Sequence, residues 1–342
     1  MWLAVHLATA VAGIVAVALG VGGLWLAPLL ALVIGHGFAG MAFVAHETLH
    51  GSVVQGRRLR HAIGWFGFLP FALSPTLWVG WHNRVHHGHT MEDGVDPDAY
   101  PTLERYARSL RTRVGDHMTP GRGRWAGVMT LAVGFTVQSL TILVQGRRAA
   151  RLSRRQHLRS IAETALGVAV WAVVGAAIGP APFLFAFVIP LLVGNALVIT
   201  YILTNHSLSP LTAVNDPLVN SLSVTTPRLV SALHLQFGYH VEHPLFPAMS
   251  PRHASRVRDE LVRLWPERYQ SMPLWRAFGR LWSTARVYAT PRVLHDPRSG
   301  RAWPALLPPA EAAAAAEEAR RAGAPAERRR RERRALRATL AA

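Results

Sequence analysis

The chain reads GFAGMAFVAHETLH at residues 37–50. This stretch closes an apolar block, residues 2–45, which is long enough for two passes of roughly 20 residues across a bilayer. His46 and His50 lie one helical turn apart, so both side chains project from the same face at the end of the block. Two imidazoles in that arrangement can reach one metal ion. The stretch therefore predicts a membrane helix that ends in part of a metal site.

Two further histidine clusters follow along the chain. WHNRVHHGHT, residues 81–90, places His82 and His86 one turn apart, while His87 points about 100° away, so this segment can address two ions. HVEH, residues 240–243, adds an i, i+3 pair. A histidine-rich surface loop that binds metal incidentally is the alternative for the second cluster alone. Three such clusters favour one metal centre.

A second apolar block, residues 161–204, predicts another pair of membrane helices. Turn residues divide both blocks, at Gly22-Gly23 in the first and at Gly179-Pro180-Ala181-Pro182 in the second. The expected fold is an all-α integral membrane protein with four transmembrane helices in two hairpins. The expected spans are residues 3–21, a second helix that ends at His46, residues 161–178 and residues 182–204.

The basic residues predict the orientation of these helices. All 37 of them are arginines, and the net charge is +18. Arginines follow the second span and precede the third, whereas neither tight turn carries one. By the positive-inside rule, both chain termini and the metal site of this multi-pass protein are expected to be cytoplasmic. Arginines beside anionic lipid headgroups explain the charge, so no nucleic acid partner is expected.

Two more apolar segments, residues 61–80 and 125–145, are expected to lie at the interface or to re-enter the membrane. If residues 125–145 crossed, the first and third histidine clusters would lie on opposite faces and could not share a site. Residues 251–303 are amphipathic and predict interfacial helices that form a cytoplasmic cap. Composition divides the chain into a membrane domain, residues 1–305, and a low-complexity Ala/Glu/Arg tail, residues 306–342.

The first cluster also fits a different class of metalloenzyme. His46-Glu47-Thr48-Leu49-His50 matches the His-Glu-x-x-His signature of zinc proteases, in which Glu47 would be the general base on a zinc-bound water. An intramembrane zinc metalloprotease is therefore an alternative function, although it leaves the other clusters unexplained. For this pair alone, two histidines hydrogen-bonded at the headgroup level are a further alternative.

Together the clusters resemble the histidine boxes of the membrane fatty acid desaturase and hydroxylase superfamily. Its usual pattern is His-x3-4-His, His-x2-3-His-His and His/Gln-x-x-His-His. The similarity extends to DPDAYP at residues 96–101, LQFGY at 235–239 and LFP at 245–247, and it covers residues 36–300 in the expected order. In that superfamily a further histidine often comes from the end of the fourth span, and His206 occupies that place here. A polar cap on the end of a membrane helix is the alternative for His206.

The resemblance implies a non-haem di-iron centre with two Fe ions and O2 as co-substrate. The implied reaction oxidises a lipid acyl chain, forming a double bond in a fatty acid desaturase or an alcohol in a lipid hydroxylase. The substrate is expected to be a lipid or an acyl carrier. Because the chain has no cysteine to hold an iron–sulfur cluster, a separate ferredoxin- or cytochrome-type electron donor is implied. The implied metal ligands are His46, His50, His82, His86, His87, His206, His240 and His243.

Four neighbouring residues are expected to support the ligands or the fold rather than to bind metal. They are His89, His234, Asp96 and Asp98. Box three departs from the family pattern, because Pro244 stands where a second consecutive histidine is usual. Proline has no side-chain donor atom, so one metal would lose a ligand unless another group replaced it. The candidate replacements are His234, His253, Glu242 and water. A degenerate, non-catalytic homologue is therefore a further alternative.

Overall fold

The computed structural model describes residues 2–341, and it describes side chains up to residue 325. Most of this part of the chain is helical. The helices are α1 (Trp2–Ala18), α2 (Gly23–His50), α3 (Arg57–Phe68), α4 (Pro75–Trp78), α5 (Leu103–Arg108), α6 (Leu110–Met118), α7 (Gly127–Gln145), α8 (Arg154–Ile178), α9 (Pro180–Phe183), α10 (Ile189–His206), α11 (Pro217–Asn220), α12 (Arg228–Leu233), α13 (Glu242–Leu245), α14 (Ala254–Leu264), α15 (Leu274–Ser283) and α16 (Pro309–Ala341). Short 3-10 helices lie at Leu69–Phe71 and Pro251–His253, and π-helices at Val79–His86 and Leu184–Val188.

Two small sheets accompany the helices, so the all-α prediction is incomplete. The strands are β1 (Ser223–Thr225), β2 (Ser271–Pro273), β3 (Val287–Thr290), β4 (Val293–His295) and β5 (Ala302–Pro304). β1 pairs in parallel with β2, and β3, β4 and β5 form an antiparallel sheet in that order. Val287 and Tyr288 favour a strand, and Pro291 interrupts the ladder at the turn. Strands of three or four residues are too short for an alternating pattern to identify them.

Four helical segments among the described residues are long and apolar enough to cross a membrane: α2, α7, α8, and α9 together with α10. α1 is a shorter apolar helix of 17 residues, and the chain then turns through left-handed glycines at Gly20, Gly22 and Gly23. α7 covers the segment that is expected at the interface, yet its length and hydropathy match those of a span. One pair of consecutive helical segments, Arg57–Phe71 and Pro75–His86, is bent by 103° between its two members, as in a broken span or re-entrant loop.

α2 lies at the centre of the helix packing. It contacts α1, α3 and α10, and α10 also packs against α7. These contacts depend on glycine where the backbones approach. A Cβ on Gly40 would lie 2.2 Å from Nδ1 of His6 on α1, and a Cβ on Gly67 would lie 2.6 Å from the backbone oxygen of Met41. A larger residue at either position would force helices apart, and the histidine-bearing end of α2 would lose its buried surroundings.

Apolar side chains also lie on the outer faces of α1, α2 and α8. The exposed residues include Val11, Val15, Leu29, Leu32, Leu166, Val168 and Val173. A large exposed apolar surface is unfavourable in water and suits the hydrocarbon region of a bilayer. This surface and the candidate spans describe a membrane protein.

A buried ion network ties the segment before α7 to the loop that follows β4. Arg122 donates to Asp116 across 2.7 Å and to Asp296 across 2.6 Å. The three side chains are between 2% and 8% exposed, so each charge depends on the others for its stability.

α16 extends the fold beyond the small antiparallel sheet. It packs against β4 and β5, and Ala315 and Ala319 are buried there. The division into residues 1–305 and 306–342 rests on composition and stays a prediction.

Replacing Arg122 with alanine is expected to destabilise the protein by about 3–5 kcal/mol, because Asp116 and Asp296 would stay buried without their partner. Equilibrium unfolding of the purified protein in detergent measures this loss. Arg108→Ala is the matched control, since Arg108 forms only an exposed ion pair with Glu104 and its removal is expected to change stability little. Equal losses for the two variants would contradict the role of the network.

Candidate metal centre

All eight histidines predicted as metal ligands lie in one cluster where α2, the π-helix, α10 and α13 meet. Neighbouring ring centres are 4.6 to 5.5 Å apart. The π-helix is the Val79–His86 segment that carries box two. The contributing residues are His46 and His50 on α2, His82, His86 and His87 in and after the π-helix, His206 at the end of α10, and His240 and His243 at α13.

The first set of donors consists of His46, His50, His82 and His243, whose nitrogen atoms lie within 4.8 Å of one another. The Nε2 atoms of His46 and His82 are 3.1 Å apart, and those of His50 and His243 are 3.2 Å apart. Nε2 of His87 lies 3.2 Å from Nε2 of His82, so His87 adjoins this set. Two nitrogens bound to one metal at about 2.1 Å lie about 3 Å apart. The set therefore has the spacing of imidazoles that share one ion.

The second set consists of His86, His206 and His240, whose nitrogen atoms also lie within 4.8 Å of one another. The Nε2 atoms of His206 and His240 are 2.8 Å apart, and the rings of His86 and His206 meet edge to face. Box three is divided, because His240 belongs to the second set and His243 to the first. The two sets are unequal, and each can address its own ion.

Box two is also divided, but not as an α-helix would divide it. In a π-helix the backbone bonds run from residue i+5 to residue i, and the N–H of His87 donates to the carbonyl oxygen of His82. His87 therefore lies beside His82, whereas His86 joins the second set. The predicted shared face of His82 and His86 is present, since their rings stack 4.9 Å apart, but the two residues belong to different sets.

Hydrogen bonds behind three of the rings determine which nitrogen faces the metal site. In each case Nδ1 contacts an oxygen atom that can only accept, so Nδ1 carries the proton and Nε2 presents its lone pair. The acceptors are Glu47 for His46 at 3.0 Å, Asp96 for His86 at 3.0 Å, and the backbone oxygen of Asn220 for His206 at 3.2 Å. These three imidazoles are oriented for metal binding.

Burial keeps both histidines of box three neutral. It lowers the pKa of His240 and that of His243 well below the usual range, and neighbouring histidines lower both further. Imidazole binds a metal in its neutral form, so both residues are competent ligands near neutral pH.

The side chains considered as replacements for a histidine at position 244 are engaged elsewhere. Their contacts are His234 with the Tyr201 hydroxyl, Glu242 with the hydroxyls of Ser223 and Tyr269, and His253 with Arg252. None of these three side chains takes the place of the histidine that Pro244 lacks. The second set has three imidazoles.

Two acidic residues lie behind His86, as expected. Asp96 accepts the hydrogen bond described above, and Oδ2 of Asp98 lies 3.3 Å from the same Nδ1. Gln138 on α7 donates to Asp98. The role of Gln138 could be predicted from the sequence, since a lone amide in an apolar helix needs a hydrogen-bond partner. The role of Asn220 could not, because Asn220 contributes only its backbone oxygen.

An apolar cavity lies against both sets of histidines. Its aromatic and histidine lining is Phe43, Phe68, Trp78, Trp81, Phe135, Phe237, His46, His82, His86, His206 and His240. It shares Asp98, Ile202 and His206 with a wider cavity of about 400 Å³ beside α6, α7 and α10. A long apolar ligand that entered the wider cavity would therefore reach the histidines.

This donor chemistry fits two first-row transition-metal ions, since imidazole suits iron and its neighbours and the chain offers no thiolate. The helices and the site together define a membrane metalloprotein. A family model described as "Fatty acid desaturase" matches residues 23–276, about three quarters of the chain, and that range contains all eight histidines. The chain belongs to the fatty acid desaturase family, which confirms the resemblance in the histidine boxes. None of the curated proteins compared with the chain matches it.

Asp96→Asn is expected to weaken metal binding about 10–100-fold, because the neutral amide holds Nδ1–H of His86 less strongly than the carboxylate does. Metal content after equilibration with graded concentrations of a chelator measures the change. Asp93→Asn is the matched control, since Asp93 lies in the same loop but pairs with Arg105 at the surface. Equal metal retention by the two variants would contradict the role of Asp96.

Proposed function

We propose that this protein is an O2-dependent di-iron oxidoreductase that introduces a double bond into a lipid acyl chain. Membership of the fatty acid desaturase family supports an oxidoreductase, and the two sets of imidazoles support two metal ions. The observation that carries the proposal is the apolar cavity whose wall includes histidines of both sets. A methylene chain in that cavity lies beside the metal-facing nitrogens.

Two irons held by these histidines would supply O2 activation and the oxidising power needed to attack an unactivated methylene. The residues of the chain position the substrate and exclude water. Trp78, Trp81 and Phe135 enclose the cavity with mainly apolar surface. Its volume is about 30 Å³, so it holds by shape only the short segment of an acyl chain that reaches the histidines from the wider cavity. That shape decides which methylene lies next to the histidines, and hence the position of the double bond.

The wider cavity offers an entry route for the substrate. Val133 and Ile199 line it on α7 and α10, while Thr112 and Thr119 add hydroxyl groups on and after α6. An acyl tail is expected to pass the apolar residues towards His206. The polar end of a lipid or an acyl carrier would stay near the hydroxyls.

The contacts of α7 support two membrane hairpins with the site on one face. Gln138, near the middle of α7, reaches Asp98 behind His86. A Cβ on Gly80, in the box-two helix, would lie 2.5 Å from the backbone oxygen of Ala150, which follows α7. The middle of α7 and the residue that follows it therefore both lie near the histidines. This favours an α7 that does not cross the membrane. α1 with α2 and α8 with α10 are then the hairpins, with termini, arginine-rich segments and site cytoplasmic.

The proposed reaction needs an electron donor outside the chain. Reduction of O2 to two waters takes four electrons, of which the acyl chain supplies two as it loses two hydrogens. A donor must supply the other two, and the chain has no cysteine to hold an iron–sulfur cluster of its own. A ferredoxin- or cytochrome-type protein is the proposed donor.

Two catalytic alternatives differ in their support. A hydroxylase would use the same centre and cavity and differ in how the chain is held. The protease alternative is not favoured, because the Glu47 carboxylate contacts Nδ1 of His46 and accepts a hydrogen bond from Ser52. Glu47 therefore lies behind the ring, while a general base must reach a water on the metal side.

Pro244 raises the alternative of a degenerate, non-catalytic homologue. The first set has four imidazoles with His87 beside them, and the second has three. A metal with fewer protein donors keeps more positions for water or O2, as catalytic metal sites do. The loss of one histidine is therefore compatible with turnover.

Expression of the chain with an electron donor is expected to produce lipids that are lighter by two hydrogens, as measured by mass spectrometry of the host lipids. His82→Ala should abolish these products, because it removes a donor from the first set. His117→Ala is the control, since His117 is exposed and contacts Arg124.

Lipids that gain one oxygen atom instead would identify a hydroxylase. The absence of any oxidised lipid from iron-loaded protein supplied with O2 and electrons would overturn the proposed function.

A further inference from the structure

A separate cavity of about 270 Å³ lies against a different face of the box-two helix. Val79 and Arg84 line it, and they are five residues apart, which is one turn of a π-helix. His82 and His86 instead line the apolar cavity. The separate cavity is termed the arginine cavity here, because its wall carries Arg57, Arg60, Arg84 and Arg159.

The arginine cavity has an excess of positive charge. The Glu163 carboxylate contacts two residues of its wall, Arg159 at 2.5 Å and His61 at 2.7 Å. It also accepts a hydrogen bond from Ser74 at 2.6 Å. Among the described residues, none of the other three arginines forms an ion pair with a carboxylate. The charges of Arg57, Arg60 and Arg84 are therefore not neutralised by an ion pair in the described part of the chain, although Nη1 of Arg84 donates to the backbone oxygen of Arg151 at 3.3 Å.

The start of α3 adds to this positive potential. α3 begins at Arg57, its N-cap is Gly56, and neither a side-chain cap nor an acidic residue of the first turn satisfies its free N–H groups. The amino end of a helix carries partial positive charge and binds anions. The helix is 12 residues long, so its dipole is developed. Arg57, the first residue of α3, lines the cavity, so the helix terminus adjoins the arginines and favours the same kind of ligand.

We propose that the arginine cavity binds a phosphate group, carried either by a lipid headgroup or by a soluble molecule. Guanidinium groups bind phosphate oxygens in pairs, and several arginines suit a doubly charged anion. The volume equals that of about nine water molecules, which leaves room for phosphate and the group that carries it. The proposal does not depend on catalysis, so it can fail or succeed independently of the desaturase activity.

The position of the cavity connects such an anion to the metal centre. Leu49, which lines it, precedes the metal-site residue His50 on α2. Arg84 lies on the same π-helix as His82 and His86. A phosphate held here contacts the two helices that carry boxes one and two. It would hold a lipid or a carrier beside the centre without occupying the apolar cavity.

The test measures binding to the full-length protein purified in phosphate-free detergent. One arm titrates inorganic phosphate by calorimetry, and the other counts bound phosphatidic acid by native mass spectrometry, with diacylglycerol as the neutral reference. Arg57→Gln and Arg84→Gln are each expected to weaken binding at least about tenfold, in whichever of the two measurements detects binding to the parent protein. Arg58→Gln is the matched control on the same helix, because Arg58 does not line the cavity, and it should change binding less than about twofold.

Binding of inorganic phosphate would identify a soluble ligand, and binding of phosphatidic acid alone would identify a lipid headgroup. Thermal unfolding and metal content of each variant show that it is folded. Failure of both ligands to bind the parent protein, or equal binding by the Arg57→Gln, Arg84→Gln and Arg58→Gln variants, would overturn the proposal.

Discussion

The convergence of imidazole Nε2 atoms is the constraint on which the rest of this structure depends. Eight histidines are brought together in an apolar interior, where each ring must be neutral and correctly turned. Burial keeps His240 and His243 neutral, and oxygen acceptors behind His46, His86 and His206 hold Nδ1–H so that Nε2 faces inward. Glu47 lies on α2 itself, Asp96 in the loop after the π-helix, and Asn220 at the end of α11.

The histidines divide into two sets of unequal size, and this division bears on the oxidation that the site is proposed to catalyse. Boxes two and three each contribute to both sets, so neither set can move without the other. A two-metal oxidation requires both ions at one face of the substrate, and the apolar cavity meets both sets at once. The π-helix matters here, because its longer turn places His87 beside His82, while the ring of His86 stacks on that of His82 and also belongs to the second set.

The sequence predicts part of this arrangement, and the limits have physical causes. His46 and His50 could be paired because an α-helix relates residues four apart in a known way, and the apolar blocks predict membrane helices from length alone. The pairing of His82 with His87 could not be predicted, because no composition rule distinguishes a π-helix from an α-helix. Asn220 acts through its backbone oxygen, which no sequence pattern reveals. α7 has the hydropathy of a span, although Gln138 near its middle reaches Asp98 behind His86.

The central claim, that two unequal histidine sets each hold one iron, is tested most directly by Mössbauer spectroscopy of the protein loaded with ⁵⁷Fe. Two irons per chain are predicted, and their spectrum should contain two distinct quadrupole doublets of equal area, because the two sets supply different numbers of imidazoles. One iron per chain, or two irons with a single doublet, would contradict the account.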